Sequence, residues 1–77
     1  MAKTRIFYKV EGVPMLVWAR FSVSAKGAHS WSVGAVCEVA SGRRSGFGEA
    51  VGAAIEAIRN HFGIELVEVN REVVERW

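Results

Sequence analysis

The sequence predicts an α+β fold: a three-stranded antiparallel meander covered on one face by one amphipathic helix, then a short fourth strand and a C-terminal helical turn (β-β-β-α-β-α). Three observations carry this expectation. Three successive runs alternate apolar and polar side chains and are joined by short turns. The apolar spacing then changes to a period of about 3.6 between Phe47 and Phe62. Finally, 77 residues leave room for one thin core, so residues 1–77 are read as a single domain.

The first run, residues 4–10, places Ile6, Tyr8 and Val10 on one face and Arg5, Phe7 and Lys9 on the other, the pattern of a half-buried strand. Glu11-Gly12-Val13-Pro14 supplies a turn. Met15, Val17, Ala19, Phe21 and Val23 then recur at every second position and are expected inward, which leaves Leu16, Trp18 and Arg20 on the opposite side. Lys26-Gly27 makes the next reversal. A third strand is expected with Trp31, Val33, Ala35, Cys37 and Val39 inward.

Ser41-Gly42-Arg43-Arg44-Ser45 reads as a loop, after which Phe47, Val51, Ala54, Ile55, Ile58 and Phe62 fall on one stripe of a helix. Glu49, Glu56, Arg59 and Asn60 lie opposite. Ser45 is placed to cap the helix and Gly63 to end it in a left-handed conformation. Gly48 and Gly52 each cost about 1 kcal/mol of helix propensity against alanine, so this helix depends on packing against the sheet. Ile64 to Val69 is rich in β-branched residues and reads as the fourth strand. Asn70 then caps a terminal helical turn, with Val73 and Trp77 on one face and a Glu72–Arg76 pair.

Charge is divided unevenly. Residues 1–44 hold seven basic residues against two acids, and residues 45–77 hold three against six. The first part is a counter-surface for an acidic partner, and two such chains could also attract each other. Catalytic chemistry finds no foothold. The chain lacks aspartate, so a Ser-His-Asp triad cannot be assembled. His29 falls in an expected turn and His61 at a helix end, and Cys37 is expected to be a buried structural thiol. Zinc would need about four ligands at set spacings. Neither a metal nor a cofactor is expected, and the chain is read as a non-enzyme.

The glycine loop before the helix could offer backbone N–H groups to an anion, with Arg43 and Arg44 beside it. It matches neither the phosphate-loop nor the dinucleotide pattern, so it is read as a solvated basic turn. No apolar run approaches the roughly 20 residues of a membrane helix. With one cysteine and no leader pattern, a cytoplasmic location is expected.

With the helix on one side, the other face of the sheet gathers Arg5, Phe7, Lys9, Leu16, Trp18, Arg20, Ser22, Ser32 and Val36. Arg5, Phe7, Lys9, Leu16, Trp18 and Arg20, together with Arg43 and Arg44, are the candidate partner-binding residues. Two functions fit such a face. One is docking on a protein or a protein–nucleic acid complex; the other is single-stranded nucleic acid, with bases on the aromatic rings and phosphates on the arginines. Phe7, Leu16 and Trp18 could instead be covered by the C-terminal turn or by a second copy in a homodimer. In size and style the chain resembles the small inhibitors encoded by phages and mobile elements, such as anti-CRISPR proteins. The resemblance rests on no motif, so it transfers no residue role. It implies an inhibitor that occupies a surface of a defence complex, although this basic chain departs from the acidic DNA mimics of that kind. An antitoxin-like or ribosome-associated role fits the composition as well.

Overall fold

The computed structural model describes residues 3–75. It contains β1 (Lys3–Val10), β2 (Val17–Val23), β3 (His29–Gly34), β4 (Glu38–Arg44), α1 (Phe47–His61) and β5 (Leu66–Val74). The strands form one antiparallel sheet in the order β4-β3-β2-β1-β5. The α+β class and the early meander agree with expectation; the element order β-β-β-β-α-β does not.

The expected third strand is two strands. The chain reverses after Gly34, so Val36 is 86% exposed and Cys37 is exposed rather than buried. His29 opens β3 instead of lying in a turn. Gly34 leaves room for the reversal. A Cβ there would overlap the Cys37 carbonyl and stand 2.7 Å from the Trp18 ring. The Ala35 N–H donates to the Cys37 carbonyl across the turn (3.3 Å).

Ser41 to Arg44, expected as a loop, is the second half of β4. Gly42 stands opposite Trp31, and a Cβ on it would lie 2.9 Å from the indole. The glycine that looked like a loop signal makes room for a core tryptophan on the next strand.

Among the described residues the expected terminal helical turn is also absent. Residues from Leu66 to Val74 run as one edge strand beside β1. Glu72 bonds Arg5 of β1; Arg76 and Trp77, assigned above to a helical turn, lie outside the described residues. Val69 is the extra residue of a bulge, because Phe7 pairs with Asn70 while Tyr8 pairs with Glu68. That insertion shifts the alternation by one and disguises the strand.

Helix α1 occupies its expected span, with different ends. Gly46 is its N-cap without a side-chain cap bond, while the Ser45 hydroxyl donates to the Glu49 carboxylate (3.2 Å). Phe62 closes the helix by donating its N–H to the Ile58 carbonyl (2.8 Å). Gly63 is not left-handed; among the described residues positive φ belongs to Gly12 and Gly27.

The helix buries Ala50, Ala54, Ala57 and Ile58 and lies closest to β3 and β4. Small alanine side chains permit that approach, as helix-to-sheet distance follows side-chain size. Phe47, Val51, Ile55 and Phe62 pack around the margin of a core made by Ile6, Tyr8, Val10, Val17, Ala19, Phe21, Trp31 and Val33. The Phe47 ring meets Phe21 edge-on, with centroids 5.4 Å apart. Met15, expected inward, precedes β2 and is 44% exposed.

Tyr8, the single tyrosine, is buried with its hydroxyl unbonded among the described residues. Burial, reinforced by the nearby Glu68 carboxylate, pushes its pKa above the usual 10.0, with Arg71 opposing. A raised folded-state pKa means that the stability from neutral Tyr8 is complete below the unfolded value. It is lost as pH rises through the folded value. Ultraviolet titration of the phenol should therefore give a late, unfolding-coupled phenolate transition; ionisation at the ordinary pKa in a folded protein would contradict this burial.

Candidate docking face

Pairing across the ladder fixes which side chains share the face away from α1. One row crosses all five strands as Glu72, Arg5, Arg20, Ser32 and Ser41. The next row carries Asn70, Phe7, Trp18, Gly34 and Glu38. On the other side of the first row, Ser22, Ser30 and Arg43 follow one another across β2, β3 and β4.

Arg5 and Arg20 are directly opposite each other, an arrangement that repels by itself. Each has a local answer. Arg5 donates its Nε–H to the Glu72 carboxylate (2.7 Å), and its guanidinium lies 5.4 Å from the Phe7 ring centroid. Arg20 lies over the Trp18 ring at 4.4 Å from the centroid, within the range of a cation–π contact.

Trp18 is held from a second side. Its indole N–H donates to the Ala35 carbonyl (2.9 Å), and its ring rests beside Gly34. Trp18 thus ties the β3–β4 turn to the middle of the sheet while presenting a surface already covered by a guanidinium. The bases of a single strand would have to displace Arg20 from Trp18, and Arg5 from Phe7, before they could stack.

A shallow groove runs beside these rings, lined by Arg20, Ser22, Ser30, Ser32, Ser41 and Arg43. Two guanidinium groups amid serine hydroxyls suit carboxylate or phosphate oxygens: arginine supplies a fork of donors and serine a rotatable one.

Of the sequence candidates, Arg5, Phe7, Lys9, Trp18 and Arg20 share this face by strand alternation. Arg43 joins them from β4, opposite Ser30. Arg44 does not: it pairs with His29 and alternates to the helix side, where its guanidinium donates to the Arg43 carbonyl (2.6 Å). The two arginines expected to form one basic turn thus point to opposite sides of an edge strand. Leu16 precedes β2 and is 48% exposed, and Val36 is in the β3–β4 turn rather than on the face. The sequence reading missed Ser30, Ser41 and Glu72 as face residues, because the first follows from β3 opening at His29, the second from β4 being a strand and the third from β5 replacing a helix.

Among the described residues no group of His, Cys or Glu is arranged to hold a metal ion, and no helix is long and apolar enough to cross a membrane. Comparison with protein-family models, curated proteins and solved structures finds no match.

Proposed function

We propose that the protein is a non-enzymatic docking module that lays its open sheet face on an acidic surface of a larger macromolecular complex and blocks it. The observation that carries this reading is the guanidinium-capped aromatic row beside the serine groove. Trp18 and Phe7 are covered by Arg20 and Arg5, which makes a firm amphipathic patch with donors at its rim, the composition that anchors protein interfaces. Its size and style suit a phage-encoded inhibitor acting in the host cytoplasm on a nucleic-acid-handling defence complex, in the manner of an anti-CRISPR protein. The second reading is a single-stranded nucleic-acid domain, which the serine–arginine groove favours through its fit to phosphate oxygens.

Salt dependence separates the two. On a purified RNA-guided surveillance complex, Arg20→Ala and Arg43→Ala should each speed dissociation, with modest sensitivity to salt. A labelled single-stranded oligonucleotide should bind weakly to the isolated protein. Tight oligonucleotide binding that falls steeply with salt, and is lost when Arg20 and Arg43 are replaced together, would establish the nucleic-acid reading instead.

A further inference from the structure

The two edges of the sheet differ. Outer strand β4 carries Glu38, Gly42, Arg43 and Arg44, the charged and glycine-containing composition with which proteins discourage edge pairing. Outer strand β5 spans 9 residues and carries as many charges (Glu68, Arg71 and Glu72), of both signs and interspersed with valines, but no glycine; Val67, Val69 and Val73 on it are 60%, 49% and 68% exposed. Such an edge offers unpaired backbone groups beside apolar side chains.

The bulge at Val69 gives this edge a self-complementary code. Because Glu68 pairs with Tyr8 and Arg71 with Ile6, both project to the helix side despite their odd spacing. Leu66, opposite Val10, and Val73, opposite Thr4, project there as well. The side-chain sequence on that side is therefore apolar, acidic, basic, apolar. Read against its own reverse, acid meets base twice and Leu66 meets Val73 twice.

We infer that a second copy of this chain pairs along the free edge of β5, antiparallel about a two-fold axis between Val69 and Asn70. Glu68 of each copy then faces Arg71 of the other, and Leu66 faces Val73. Within one chain Arg71 already bonds Glu68 (2.8 Å), and this bond holds the Glu68 carboxyl below its ordinary range; pairing makes the two bridges a four-charge cluster. An isologous contact of this kind closes as a dimer and leaves no further β5 edge exposed. The axis stands perpendicular to the sheet, so the two open faces lie side by side on one continuous surface. A partner with repeated acidic patches would meet them bivalently.

The experiment exploits the reciprocity of the code. Glu68→Arg carries two bases at the paired positions and Arg71→Glu two acids, so each variant repels its own kind. Mixed, they face each other with opposite charges at both positions, although neither retains the bridge within its own chain. Sedimentation should show a wild-type dimer, a rise in dissociation constant of about tenfold or more for each variant alone, and restored association in the mixture. Either variant dimerising as the wild type does, or a folded pair that stays monomeric when mixed, would overturn the inference. Amide exchange on the wild type needs no variant: protection along β5 should rise with protein concentration, and protection that is independent of concentration would refute the pairing.

Discussion

Ile58→Ala should destabilise the protein by about 2–5 kcal/mol, the range for removing a large aliphatic side chain from a closed core. Ile58 is fully buried and sits among helix neighbours that are mostly alanines. Alanine side chains have little freedom to swing into the space left behind, which places the cost in the upper part of that range. That loss is a large fraction of the total stability of a domain of this size, so chemical denaturation should show the variant's midpoint moved strongly toward zero denaturant. A midpoint matching the wild type would mean that α1 does not seal the sheet.

Gly34→Ala should cost about 1–3 kcal/mol, as expected for atoms forced into occupied space, and should act on the docking face as well as on stability. The added methyl competes with the Cys37 carbonyl and with the Trp18 ring. Relief requires the β3–β4 turn to open or Trp18 to lift from the strand. Either movement stretches the bond from the Trp18 indole to Ala35 and frees Arg20 from its ring. The Trp18 indole proton should therefore lose its protection from solvent exchange in the nuclear magnetic resonance spectrum. Unchanged protection with unchanged stability would show that the turn yields at no cost and that the face does not depend on it.

What the sequence disclosed was governed by how regular each element is. Strands β1 and β2 and the span of α1 followed directly from apolar spacing, because each buries one continuous face, and this also located Arg5, Phe7, Lys9, Trp18 and Arg20. The failures came where tertiary packing overrides local pattern. Alternation runs unbroken from Trp31 through Val39, so the reversal at 35–37 is marked only by Gly34. Ser41-Gly42-Arg43-Arg44 has the composition of a loop, yet it pairs as an edge strand because Gly42 accommodates Trp31. In β5, one inserted residue at Val69 breaks period two, and Asn70 with Glu72 after it then imitates a helix start. Arg44 was misplaced for the same reason as the loop: once 41–44 is a strand, neighbouring residues must face opposite ways.

The pairing of β1 with β5 joins Lys3 to Val74, so the first described strand and the last are neighbours at one side of the sheet. In sequence the two strands are separated by β2, β3, β4 and α1. The four-stranded meander and α1 can gather while the β1 edge still waits for its partner. Folding must then close a loop that spans nearly the whole described chain, a late and slow event in proteins dominated by distant contacts. Until that closure Arg5 lacks Glu72, and Phe7 lies beside an open strand. A chain lacking the residues from Asn70 onward would leave more than half of the β1 edge unpaired, the kind of open strand edge that invites association with other chains.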